Sequence, residues 1–222
     1  MIVVHHLNNS RSQRVLWLLE ELGLPYEIKH YEREPSGLAP ASLRAVHPLG
    51  KSPVISDGTA TVAESGAILE YLVETHGNGR LAPPAGTPER LRWRYFLHYA
   101  EGSAMPPLLL KLVFDRLDSP AVPFLVRPIS RAIAQKVMKT FIRPQIETHL
   151  DFLEGELKSR PWFAGKEFSA ADIQMSFPLE AAAGRAGLNQ SRPKLMDFLK
   201  RIHARPAYQR ALERGGPYEI MS

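Results

Sequence analysis

The stretch from His47 to Ser65 constrains what this chain can fold into more than any other. It opens His47-Pro48-Leu49-Gly50-Lys51-Ser52-Pro53-Val54-Ile55. Proline fixes φ and has no N–H, so Pro53 at the head of an apolar run belongs at a strand start or in a cis turn. The neighbouring backbone is then not paired internally, and Ser52 has free backbone groups to offer a ligand. A Ser56-Asp57-Gly58 turn follows, a hairpin signal, and the second short strand ends in Glu64-Ser65. From Gly66 to Val73 the apolar spacing becomes helical. A carboxylate, a hydroxyl and a helix N-terminus therefore meet. The helix N–H groups and the Ser65 hydroxyl suit a carboxylate, and Glu64 suits an ammonium, so an amino-acid-like head group fits. A plainer reading makes Ser65 a helix cap and Glu64 a surface charge.

Upstream, Ile2-Val3-Val4-His5-His6-Leu7 reads as a short buried strand that Asn8-Asn9-Ser10 breaks. From Arg11 the apolar positions Val15, Leu16, Leu18, Leu19 and Leu22 are spaced as a helix, with Gly23 as its stop signal. Tyr26–Tyr31 alternates like a second strand, and Ala41–Val46 suits a short helix. With the hairpin, the order is β-α-β-α-β-β-α, which matches a thioredoxin-like α/β fold. Ser10 stands at the first strand-to-helix junction, where partial positive charge favours an anion. Ser10-Arg11-Ser12-Gln13 equally makes a capping box, with Gln13 reaching back to the cap. His5 and His6 point to opposite faces of a strand, so they share no metal site.

Between Gly77 and Pro88 the composition turns to Gly, Pro and Asn and reads as a linker. Everything after it has helical periodicity. A long helix runs from Glu89 to about Asp115, interrupted at Met105-Pro106-Pro107, and another from Arg127 to about Ser159, with a kink at Pro144. Phe168-Ser169-Ala170-Ala171-Asp172-Ile173 is a capping signal before an apolar helix: Ser169 caps, and Asp172 reaches back to its N–H.

Lys-Ser-Pro-Val, a hairpin and then Glu-Ser resembles the glutathione-binding half of glutathione S-transferases. Asn8-Asn9-Ser10-Arg11-Ser12-Gln13-Arg14-Val15-Leu16-Trp17 is similar to the first strand-helix unit of their bacterial and fungal serine type, a theta-like branch. Trp162–Lys166, the Ser169/Asp172 box and Arg205–Leu212 are typical of their helical domain. The resemblance implies a thioredoxin-like glutathione-binding domain over residues 1–78, a linker over 79–88 and an all-helical domain over 89–222. By the same resemblance, Ser10 stabilises the glutathione sulfur as a thiolate, with Ser12 and Asn9 as rivals. Ser52, before a cis Pro53, pairs its backbone with the cysteinyl unit; Glu64 and Ser65 hold the γ-glutamyl end; Lys51 serves the glycyl end. His47 replaces an Asn common in relatives, which leaves its own contact open. Tyr99, Met105, Leu108 and Leu109 are the candidate walls of an apolar electrophile pocket, though an apolar helical stripe also describes core.

The reading implied is a glutathione transferase acting on a small hydrophobic electrophile, with glutathione as co-substrate and a homodimeric assembly. Glutathione-dependent reduction of disulfides or peroxides, or a non-catalytic ligand- or partner-binding role, are the alternatives. At 222 residues and 44% hydrophobic content the chain has material for its own core. It contains no cysteine, which excludes disulfides and a cysteine nucleophile and is compatible with a reducing, cytoplasmic setting. No apolar run is long enough to span a membrane, no nucleic-acid signal rises above a scattered net charge of +5, and no metal is implied.

Overall fold

The computed structural model describes residues 1–34, 36–117, 119–120 and 122–220. The N-terminal part is β1 (Ile2–Leu7), α1 (Ser12–Leu22), β2 (Tyr26–Tyr31), α2 (Ala41–Arg44), β3 (Val54–Asp57), β4 (Ala60–Ala63) and α3 (Ser65–His76). The strands form one sheet in the order β2-β1-β3-β4. β1 pairs in parallel with β2 and antiparallel with β3, and β4 returns antiparallel beside β3. This is the thioredoxin-like arrangement expected from the element order. Gly58 takes the left-handed turn position at φ +57°. The hairpin is pinned to α3 because Asp57 Oδ2 accepts the Tyr71 hydroxyl at 3.0 Å and bonds His76 Nε2 at 2.7 Å.

The helical part is α4 (Pro88–Tyr99), α5 (Met105–Leu117), α6 (Arg127–Val137), α7 (Arg143–Ser159), α8 (Ala170–Arg185), α9 (Pro193–His203) and α10 (Pro206–Gly215). The expected proline breaks take a particular form. A π-helical turn, Ala100–Ala104, joins α4 to α5 just before Pro106-Pro107, and another, Met138–Ile142, joins α6 to α7 just before Pro144. Proline neither donates to the residue four back nor leaves room for its carbonyl. One inserted residue per turn accommodates both, so each helix continues through its prolines.

One apolar core runs through both parts. Leu16, Leu19, Ile68 and Leu72 join Trp93, Phe96, Ile173 and Phe198 in a single buried cluster. Helix α1 approaches α10 closely across the two parts. A Cβ added at Gly215 would lie 2.8 Å from Gln13 Oε1 and 2.8 Å from Leu16 Cδ1. Gly215→Ala is therefore expected to destabilise by about 1–3 kcal/mol through overpacking. Thermal unfolding checks this, and an unchanged midpoint would show that α10 can shift freely on α1.

Candidate active site

The end of β1 gathers three loops. In the first, Ser10 Oγ accepts the Ser12 N–H at 3.2 Å and lies 2.7 Å from Ser12 Oγ. Ser12 Oγ continues to His6 Nδ1 at 2.9 Å and Leu7 O at 3.3 Å. Burial holds the His6 pKa down to about 4; nearby His30 adds to this, and a hydrogen bond to the Gly215 backbone opposes it. His6 is thus neutral and able to accept the Ser12 proton. Ser12 is fully enclosed at 0% exposure, whereas Ser10, at the outer end of this chain of hydroxyls, retains 6%. The Ser10–Gln13 capping box does not form. Helix α1 begins at Ser12, and the Gln13 side chain packs into the α10 contact instead of reaching back.

In the second loop the Ser52–Pro53 bond is cis. Pro53 has no N–H, so the β1–β3 ladder stops at His5 and Val54. The Ser52 hydroxyl takes over, donating to His5 O at 3.0 Å and accepting Leu7 N–H at 3.3 Å. Its side chain is thereby spent on β1, which leaves only its backbone for other use. Lys51 is exposed, and His47 Nδ1 is buried without a hydrogen-bond partner.

In the third loop Glu64 is exposed and stands just before α3 at φ +69° and ψ 120°. A non-glycine residue there carries strain of about 1–3 kcal/mol. The first bond within the helix runs from Ile68 N–H to Glu64 O at 2.9 Å, so the amides of residues 65–67 have no partner inside the helix. Ser65 is not the cap. It is the first helical residue, and its hydroxyl accepts Arg14 Nη2 at 2.9 Å.

Arg14 is the residue that sequence reasoning missed. It is 1% exposed and also donates to Gln174 O at 2.6 Å and to Glu101 Oε1 at 2.5 Å. Arg11 grips the same carboxylate at 2.9 Å. Burial pushes the Glu101 carboxyl up, but the two guanidinium groups outweigh it and hold the pKa below the usual carboxylate value. Arg14 thus ties α1, α3, α8 and the first π turn together beneath Glu64-Ser65. Its partner lies 87 residues away, so no local pattern could have exposed the pair.

The four candidate pocket residues do not share one surface. Met105 packs with Phe177 and Ile220, and Leu108 lies against the same cluster. Leu108 also lines an apolar crevice with His149, Leu150, Pro178 and Leu179. Tyr99 is buried, with its hydroxyl 2.6 Å from His149 Nδ1, and edges a separate groove with Leu91, Tyr95 and His98. Leu109 is 52% exposed. Helical geometry alone separates them, since at about 100° per residue Tyr99 and Leu108 fall on opposite sides of the helix axis even without the π turn. The chain's end returns to this region: Glu219 N–H donates to Asn9 Oδ1 at 2.7 Å, and Tyr218 donates to Glu180 Oε2 at 2.6 Å. Among the described residues no group of three or more His, Cys, Asp or Glu side chains is placed to hold a metal.

A thioredoxin-like sheet with a cis proline just before its third strand thus carries a helical bundle packed on α1. The glutathione S-transferase N-terminal domain family matches residues 10–75, and the C-terminal domain family matches residues 119–206. Glutathione S-transferase 3 of Schizosaccharomyces pombe is 38% identical over 215 residues, covering 96% of this chain and 88% of that protein. Glutathione S-transferase 1 of Saccharomyces cerevisiae is 32% identical over 96% of this chain and 95% of its own. Among solved structures, a glutathione S-transferase from Actinobacillus pleuropneumoniae superposes with a TM-score of 0.82 at 32% identity, over 99% of this chain and 95% of that one. A glutathione transferase of Phanerochaete chrysosporium, solved with oxidized glutathione, shares the fold at a TM-score of 0.77 and 22% identity, over 96% of each chain. The chain belongs to the glutathione S-transferase family and is an enzyme of that class.

Proposed function

We propose that the chain binds glutathione along the end of β1 and conjugates it, as a thiolate, to a small hydrophobic electrophile. The observation that carries this reading is the convergence of Ser10, the cis Ser52–Pro53 backbone and the α3 N-terminus on one strand end. Ser52 bonds Leu7, and Arg14 bonds Ser65. Ser10 is the sulfur contact, because Ser12 is enclosed by His6, Leu7 and Ser10 itself. The Ser52 backbone pairs with the cysteinyl unit, and Lys51 meets the glycyl carboxylate. The γ-glutamyl carboxylate takes Ser65 and the free amides of α3, while its ammonium takes Glu64.

A thiol with an unperturbed pKa of roughly 8.5 must lose about two units to ionise near neutrality, which requires ~2.7 kcal/mol of preference for the thiolate. One charge-assisted hydroxyl bond supplies ~1.5–3 kcal/mol, and the α1 N-terminus adds to it. The thiolate sulfur attacks an electrophilic carbon. A C–S bond forms, and the displaced pair leaves with the leaving group or is protonated at the neighbouring atom. Met105 and Leu108 face the electrophile, with Tyr99 and Leu109 outside the first contacts. The assembly is a cytoplasmic homodimer, in which the first domain of one subunit meets the second of the other.

Turnover of a chlorodinitrobenzene-type electrophile tests the assignment. Ser10→Ala is expected to lower kcat/KM by about tenfold to a hundredfold, matching ~1.5–3 kcal/mol, with a smaller loss for Ser12→Ala. A larger loss in Ser12→Ala would move the sulfur contact inward. Reduction of hydroxyethyl disulfide with no conjugation would replace transfer by reduction.

A further inference from the structure

The turn between α5 and α6 presents large apolar side chains to solvent. Phe124 is 79% exposed, Leu125 88% and Val126 49%, and α6 continues with Ile129 at 63% and Ile133 at 54%. Isolated exposed apolar residues need no explanation, but five within ten positions mark an interaction surface. The loop is held in this form by Arg127, whose guanidinium donates to Val122 O at 3.0 Å and Pro120 O at 3.2 Å.

The charge along this stretch of sequence is one-sided. Residues 122–146 contain Arg127, Arg131, Lys136, Lys139 and Arg143, with neither Asp nor Glu. Lys136, Lys139 and Arg143 are exposed and make no ion pair among the described residues. Spacings of four and three set Ile129, Ile133 and Lys136 on one side of α6. An apolar tip followed by a basic amphipathic helix is the pattern of a segment that lies in a lipid interface. A contact of this patch with the same patch on a second copy fits less well, since it would set Lys136, Lys139 and Arg143 of each against those of the other.

We infer that the α5–α6 tip docks the enzyme on an anionic lipid surface, with Phe124 and Leu125 entering the acyl boundary and Lys136, Lys139 and Arg143 meeting the headgroup charge. This is peripheral attachment. Among the described residues no helix is long and apolar enough to cross a membrane. Attachment of this kind holds the transferase where apolar electrophiles concentrate.

Flotation of the full chain with vesicles tests it. Each cation close to an anionic surface is worth about fivefold in partitioning, so three predict roughly a hundredfold preference at low salt for vesicles containing about one third phosphatidylserine over pure phosphatidylcholine. High salt should erase most of that preference. Phe124→Glu combined with Leu125→Glu is expected to abolish flotation, and Lys136→Glu combined with Lys139→Glu to remove the anionic preference. All four positions are exposed, so melting temperatures should stay unchanged. Absence of flotation at low salt would overturn the inference, as would equal binding to both vesicle types. Self-association in light scattering that Phe124→Glu removes, without vesicle binding, would assign the patch to a second copy instead.

Discussion

Arg14→Met is expected to cost about 3–5 kcal/mol of stability and, separately, to weaken glutathione binding by about tenfold or more. Methionine keeps much of the arginine volume, so the effect isolates the charge and its donors. Three acceptors, the buried Ser65 hydroxyl and Gln174 carbonyl and the half-buried Glu101 carboxylate, lose their donor together. Glu101 keeps Arg11, its more exposed partner. For a chain of this length each kcal/mol moves the melting point by about 2–4 °C, so a fall on the order of 10 °C is expected. Under the proposed binding mode, glutathione affinity is expected to fall because Ser65 is no longer aimed. Adding Glu101→Gln to Arg14→Met should recover part of the stability, since the two residues belong to one network and their costs do not add. A melting point unchanged in Arg14→Met would contradict the central place given to this network.

Asp172→Ala has the other large expected effect. Asp172 is fully buried and accepts Phe163 N–H at 2.8 Å, Ser169 N–H at 2.8 Å and the Ser169 hydroxyl at 3.0 Å. An exposed N-terminal box is worth ~1 kcal/mol, but here two buried amides would be orphaned as well, and about 3–4 kcal/mol is expected. The cost should depend on pH. Burial pushes the Asp172 carboxyl up to about 6, against the pull of its donors. Between about pH 4, where the unfolded carboxyl titrates, and pH 6, the native state holds a proton that the unfolded chain has released. The group's contribution is therefore full below about pH 4 and declines as pH rises through 6. The difference in melting point between wild type and Asp172→Ala is expected to shrink from pH 4 to pH 7. A difference that widens over that range would reverse the sign assigned to this carboxyl.

The parts of this architecture set by local pattern were readable in the chain: the strand-helix alternation up to His76, the Asp57-Gly58 hairpin and the Ser169/Asp172 box. Proline positions foretold where the long helices are disturbed, but periodicity alone cannot distinguish a kink from a π turn that adds one residue. Apolar character along one helix is likewise no guide to a shared surface, because Tyr99 and Leu108 stand half a turn apart at about 100° per residue. The same limit applied at Ser10, where capping and ligand contact call for the same residue. The proposal of Ser10 for the sulfur rests on the enclosure of Ser12 by His6 and Leu7. Arg14 was invisible for a different reason. A charged residue in the first turn of a helix reads as solvated, and its burial depends on Glu101 and Gln174, which arrive from the other half of the chain.

The most direct measurement of the thiolate assignment is the ultraviolet absorbance of bound glutathione titrated against pH, in the wild type and in Ser10→Ala. A bound thiol pKa about two units below that of free glutathione, returned most of the way by Ser10→Ala with binding retained, is the predicted result. A bound thiol that ionises like free glutathione in the wild type, or a lowered pKa that Ser10→Ala leaves in place, would contradict it.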